Sequence, residues 1–191
     1  MCCIFGFFSD NPKNEMTIPN LQSATQSLKH RGPDDEGYAL VNFRNDVVFS
    51  GGEDTPEECF SYPFPFKLHQ NIRQVEEIPS QVFLGHRRLS IVDLSPAGHQ
   101  PHVSSNQQYI LCYNGEIYNH RELRSELEQL GHKFNTQCDT EVIPIAYHEW
   151  GIDFLQKLNG MFSFILYDRK TKSAICVRDR MGIKPLYIWH D

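Results

Sequence analysis

The sequence predicts an α+β fold of largely antiparallel sheets, and three observations carry that prediction. Strand-like runs dominate both ends of the chain, with two helical stretches between them. Met161–Tyr167 and Ser173–Val177 flank the turn cluster Asp168-Arg169-Lys170-Thr171-Lys172 as a hairpin. Runs such as Val82–Leu84 and Met161–Leu166 carry apolar residues on both faces, which predicts sheets covered on both sides.

Taken in order, Cys2–Phe8 is an apolar first strand, followed by the turn cluster Ser9-Asp10-Asn11-Pro12. A helix starts at Thr17 with Pro19 in its first turn, keeps Leu21, Ala24, Thr25 and Leu28 at helical spacing, and stops at His30-Arg31-Gly32-Pro33-Asp34. Tyr38–Phe43 and Val47–Phe49 are strands around Asn45-Asp46. Residues 50–80, interrupted by Pro56, Pro63, Pro65 and Pro79, are expected to be a surface insertion. Val82–His86 is a strand running into Arg87-Arg88, and Ser95–Pro101 is a loop. Tyr109–Tyr113 is a strand that reaches Asn114-Gly115. Asn119 opens a helix through Leu130, with Glu122 completing a capping box and Gly131 ending it. A further helix follows Asp139-Thr140, with Val142, Ile143, Ala146, Tyr147 and Trp150 on one side. After the hairpin, Met181–Tyr187 is expected to begin one more loop and strand.

A chain of 191 residues suits one domain with a core that needs no staples. Its net charge of −6 argues against nucleic-acid and anionic-membrane surfaces, which require basic patches. No apolar run reaches the length of a membrane span, and the N-terminus lacks the features of a signal peptide. Six cysteines without a Cys-x-x-Cys pair do not make a disulfide framework, so a cytoplasmic protein with reduced thiols is expected. His86, His99 and His102 show no ligand spacing, and no metal is expected.

The N-terminal stretch has a second reading. If Met1 is removed, Cys2 carries a thiol and a free α-amine on one carbon. Free α-amines have reference pKa values of about 7.7–8.0 and free thiols about 8.5. A nucleophile and a base are then combined in one residue, a pairing that covalent catalysis otherwise builds from two side chains. Alone, the stretch reads better as a buried strand with two small thiols, and only the rest of the chain reverses that. Ser50-Gly51-Gly52-Glu53-Asp54-Thr55 resembles the phosphate loop of ATP pyrophosphatases, yet the helix it should open meets Pro63 and Pro65 within two turns, so no ATP site is expected there.

Individually, the polar motifs have ordinary readings: Asn-Gly as a turn, Arg87-Arg88 as a solvated face, Asp139-Thr140 as a cap. Together they occur in a familiar order: MCxIFG, RGPD (31–34), GHRRLSIVDLSPAGHQP (85–101), YNGEIYNH (113–120), DTE (139–141), NGMFSFILYD (159–168) and RDRMGIKPLY (178–187). This set resembles the glutaminase domain of glutamine-hydrolysing asparagine synthetases, class II amidotransferases with an N-terminal nucleophile.

The resemblance implies a four-layer αββα sandwich over residues 1–191 that hydrolyses glutamine to glutamate and ammonia. It implies Cys2 as nucleophile and the Asn114 side chain with the Gly115 backbone N–H as oxyanion donors. Arg88 would hold the α-carboxylate, Glu116 and Asp139 the α-ammonium, and backbone at Leu89, Ser90, Ile91 and Val92 would line the pocket. Arg87 falls at the free position of the H-x-R-L motif and is expected to be replaceable. Cys3 stands where relatives carry a smaller residue. Relatives continue into an ATP-pyrophosphatase domain, so ATP and Mg are expected only there and the amide-forming step is not encoded in these 191 residues. The implied partners are glutamine and that synthetase domain, and a homodimer is compatible with the resemblance. The acceptor, aspartate or another carboxylate, is left open. A regulatory glutamine-binding module without turnover is the alternative.

Overall fold

The computed structural model describes residues 2–76, 79–90 and 94–190. Two sheets form its centre. The first has five strands in the order β1-β5-β2-β3-β4, comprising β1 (Cys3–Phe8), β2 (Asp35–Asn42), β3 (Val47–Gly51), β4 (Leu68–His69) and β5 (Ser80–Arg88). The second has the order β6-β7-β8-β9, comprising β6 (His102–Val103), β7 (Tyr109–Ile117), β8 (Gly160–Asp168) and β9 (Ser173–Arg178). Every pairing is antiparallel except the two-residue β3–β4 contact.

Strand alternation sorts the side chains into three cores. Ala39, Val82, Leu84, Ile110, Cys112 and Ile165 meet between the sheets. Tyr38, Leu40 and Phe83 face outward onto Leu21 of α1 (Ile18–Gln26). On the far side, Leu111, Tyr113, Ile117 and Phe164 pack against Leu123 and Leu127 of α3 (His120–Gln129), Val142, Ile143 and Ala146 of α4 (Val142–Trp150) and Phe154 of α5 (Phe154–Lys157). The layers are therefore α, β, β, α, as expected. Each fully buried Leu or Ile contributes roughly 1.5–3 kcal/mol through removal from water.

Local chemistry explains the helix ends. Thr17 caps α1 by accepting from the Asn20 N–H at 3.3 Å. Gly131, at φ +97°, closes α3 through paired bonds, His132 N–H to Leu127 O at 3.0 Å and Gly131 N–H to Glu128 O at 3.0 Å. The capping box at Asn119 does not form. Its side chain instead bridges to the strand entering β8, accepting from the Asn159 N–H at 2.9 Å and donating to Lys157 O at 2.9 Å.

Four further expectations differ from the structure. Asn114-Gly115 is not a turn but the interior of β7, which pairs with β8 through Ile117. Among the described residues, none beyond Arg178 forms a strand, and Met181–Tyr187 is a loop anchored by the Asp179 carboxylate. Arg87 is no solvated face, being 0% exposed. Residues 50–80 are built into the domain: Ser50 and Gly51 end β3, Leu68–His69 forms β4, and Cys59 of α2 (Glu57–Ser61) and Ile72 are buried.

The Ser50–Thr55 loop uses its own donors. Gly52 N–H goes to Thr55 Oγ1 at 2.9 Å and Asp54 N–H to Glu36 Oε1 at 3.2 Å. A Cβ on Gly52 would lie 1.8 Å from Glu36 Oε1, so glycine is required there to admit a carboxylate, the group that repels phosphate.

Candidate active site

The same alternation determines which polar side chains share a face. On β5, Val82 and Leu84 point between the sheets, and His86 and Arg88 continue that face, while Arg87 points outward with Phe83. On β1, Ile4 packs between the sheets and Phe5 and Phe7 pack outward, so Cys2 belongs to the inner face and Cys3 to the outer. On β7, Asn114 and Glu116 follow Ile110 and Cys112 on the inner face. Cys2, Arg88, Asn114 and Glu116 thus share one face at one end of the sandwich.

Cys2 is tied to the residue after the clamp candidate. Leu89 N–H donates to Cys2 Sγ at 3.3 Å, and the thiol faces Leu89 O at 3.7 Å. The Cys3 thiol lies on the other face, where burial raises its pKa and Arg31 partly opposes the rise. Ser90 N–H donates to Asp34 Oδ2 at 2.8 Å, and Asp34 N–H to Arg88 O at 3.0 Å, so the RGPD turn holds the chain leaving β5. Ile91 and Val92, also expected in the pocket, lie outside the described residues.

Arg88 is 6% exposed. It donates from Nη1 to Ser95 O at 3.1 Å, and a Cβ on Gly98 would sit 2.0 Å from Nη2. The Pro96–Gly98 turn is therefore seated directly on the guanidinium and fixes its plane. His86, one pleat deeper, is held neutral by burial, its pKa pushed down to about 3, with Nε2 against Tyr113 O at 3.1 Å.

The backbone of β7 opens where oxyanion donors are expected. Tyr113 N–H donates to Gln100 Oε1 at 2.7 Å and Ile117 N–H to Asp139 Oδ2 at 3.0 Å, both on the edge away from β8. Backbone donors alternate sides along a strand, so Gly115 directs its N–H to that same edge. Phe162, its partner across the ladder, is engaged instead with Asp179, accepting at 2.8 Å and donating at 3.2 Å. Among the described residues no acceptor takes the Gly115 N–H. Glycine is required here for a reason not foreseen: a Cβ would lie 2.4 Å from Met161 O and 2.7 Å from the Phe162 Cα. The Asn114 amide likewise has no partner among the described residues, and the buried Ser163 hydroxyl opposite it is unpaired.

Asp139 is oriented by Tyr113, whose hydroxyl donates to Oδ2 at 2.6 Å. The Tyr113 phenol is held well above its ordinary pKa by burial first, then by Asp139, Glu116 and Cys2. Tyr113, Gln100, Asp34 and Ser163 were not singled out in the sequence. All four lie inside quoted motifs, but their roles depend on contacts with distant segments that spacing does not reveal.

Comparison with known proteins addresses the family and the fold. A family described as "Glutamine amidotransferase domain" matches residues 73–191. A protein of Methanocaldococcus jannaschii named "Putative asparagine synthetase [glutamine-hydrolyzing] 2" is 33% identical over 205 residues, covering 100% of this chain and 32% of that protein. The nodule asparagine synthetase of Pisum sativum is 34% identical over 188 residues, covering 98% of this chain and 25% of the relative. The chain thus spans about a quarter to a third of these relatives. The solved glutamine phosphoribosylpyrophosphate amidotransferase from B. subtilis, complexed with ADP and GMP, superposes with a TM-score of 0.67 at 22% identity, covering 95% of this chain and 38% of that one. That likeness shows a shared fold, and the family match with the relatives shows that the chain belongs to the glutamine amidotransferase domain family.

Proposed function

We propose that this chain hydrolyses the side-chain amide of glutamine through a thioester on Cys2. The observation that carries the reading is that the Cys2 thiol lies on the inner face of the first sheet while the facing strand β7 carries two donors, the Gly115 N–H and the Asn114 amide, without acceptors among the described residues. With Met1 removed, the Cys2 α-amine takes the thiol proton as sulfur attacks the amide carbon. Negative charge on the amide oxygen is met by Asn114 and Gly115, each such donor lowering the barrier by about 2.7–4 kcal/mol. The α-ammonium returns the proton to nitrogen, the C–N bond breaks, and ammonia leaves. Water then cleaves the thioester, giving glutamate and restoring the thiol.

Arg88 would clamp the α-carboxylate as a planar fork, and Asp139 and Glu116 the α-ammonium. Leu89 and Ser90 backbone would flank the substrate. The ammonia would serve an ATP- and Mg-dependent synthetase domain, with aspartate as the acceptor and asparagine as the product. The chain itself would need no cofactor, and the setting would be cytoplasmic. No helix among the described residues is long and apolar enough to cross a membrane. The test is glutamate release from glutamine by the chain and by Cys2→Ala. Turnover unchanged in the variant would overturn the reading.

A further inference from the structure

Behind Arg88, three segments distant in sequence bring together a carboxylate, a thiol and an imidazole. Asp35 opens β2, Cys59 lies in α2, and His99 follows the Pro96–Gly98 turn. Each is buried, at 1%, 1% and 2% exposure. One candidate ligand atom from each lies within 4.8 Å of the other two. We propose that Asp35, Cys59 and His99 bind a divalent metal ion of borderline softness, zinc above all, independently of the glutaminase reading.

Two observations support a ligand here rather than ordinary packing. Asp35 Oδ1 is buried and has no hydrogen-bond partner among the described residues, while Oδ2 faces His99 Nδ1 at 2.8 Å. A buried carboxylate oxygen left unpaired is costly, and a cation satisfies it. Cys59 also differs from the core thiol. Cys112 sits among apolar side chains between the sheets, and burial alone raises its pKa. Cys59 belongs to none of the three apolar clusters, yet it is only 1% exposed and lies beside a buried carboxylate and imidazole.

The donor set selects the metal. A thiolate and an imidazole favour zinc over magnesium or calcium, which prefer oxygen. Thiolate and carboxylate together neutralise a dication, so the closed site carries no net charge into the interior. Zinc–ligand distances of about 2.0–2.3 Å require these atoms to draw in around the ion from their present spacing. His99 also lines a cavity of ≈ 270 Å³, the source of water for the fourth position. As the metal–sulfur bond forms, the Cys59 proton leaves to solvent, and His99 ligates as the neutral ring.

The experiment titrates the metal-stripped chain with Co²⁺ and then Zn²⁺. The expected result is one equivalent bound, a thiolate-to-cobalt charge-transfer band that zinc abolishes, and about one proton released per ion. Cys59→Ser should lose the band and weaken zinc binding at least about 100-fold, and Asp35→Asn at least about 10-fold. Cys2→Ala and Cys138→Ser should keep the band, excluding the other thiols. X-ray absorption on the zinc-loaded wild type requires no variant to fold, and should find one sulfur at about 2.3 Å. No binding at micromolar metal, an unchanged band in Cys59→Ser, or a zinc shell without sulfur would each overturn the proposal.

Discussion

Replacing Arg87 with alanine would remove a guanidinium that is 0% exposed and bound on every side. It donates to Gly32 O at 2.9 Å, to Glu36 Oε2 at 2.6 Å, and through both terminal nitrogens to Asp54 Oδ2 at 3.0 Å. The damage in the variant would come from what is left behind. Glu36, also 0% exposed, would keep only the Tyr38 hydroxyl at 3.1 Å and the Asp54 N–H at 3.2 Å against its charge. Asp54 would suffer less, because it is partly exposed and retains Lys29 at 2.7 Å. Breaking a buried pair from one side costs about 3–5 kcal/mol, against a total stability of about 5–15 kcal/mol. At roughly 2–4 °C per kcal/mol, Arg87→Ala should melt about 6–20 °C below wild type. Adding Glu36→Gln removes the stranded charge, so the double variant should recover part of the loss rather than add to it. Thermal melts of the three proteins decide the matter. A shift under about 2 °C for Arg87→Ala, or full additivity in the double variant, would refute the reasoning.

Cys2→Ala should abolish glutamine hydrolysis while Cys3→Ala keeps most of it, because the two thiols occupy opposite faces; a glutamine-mimicking electrophile found on Cys3 by peptide mass would contradict this. Arg88→Ala should lower kcat/KM for glutamine by about 10- to 100-fold, with Arg88→Lys recovering little because a point charge cannot copy the fork. Gly115→Ala should both melt lower and lose turnover, since its Cβ would press on backbone atoms of β8 that cannot rotate away. Burial keeps His86 neutral down to about 3, whereas in the unfolded chain it gains a proton below about 6.5. Its folded value is the lower one, so stability is lost as pH falls from about 6.5, at a slope near 1.4 kcal/mol per pH unit. Denaturation midpoints from pH 7 to 4 should show that slope, and His86→Gln should flatten it.

The architecture was legible because alternation and spacing are local signals. Val82–Leu84, apolar on both faces, announced a covered sheet, and the cores on either side of β5 are that prediction realised. The site was legible only through motif order, since its members come from four segments. What the residues withheld were roles set by partners across the fold. Nothing near Arg87 in sequence announces Glu36 and Asp54, and nothing in Ser50–Thr55 shows that a carboxylate fills the cradle meant for phosphate. Asn119 failed as a cap for the same reason: the distant segment between α5 and β8 offered its side chain other partners.

The brevity of β6 carries a consequence for how such a site arises. Its ladder with β7 ends at His102 opposite Leu111. The preceding residue, Pro101, has no N–H to continue it, and one residue earlier the Gln100 side chain satisfies Tyr113 in place of a strand, at 2.7 and 3.1 Å. Beyond that point the edge of β7 away from β8 runs on without a strand beside it among the described residues, and the Gly115 N–H is what remains when that pairing stops. The donor is thus made by subtraction, from a ladder halted early. Substituting Pro101 and Gln100 so that β6 zips onward would close the gap without touching any residue assigned to the chemistry. Sheet regularity, which raises stability elsewhere in this fold, would here work against reactivity.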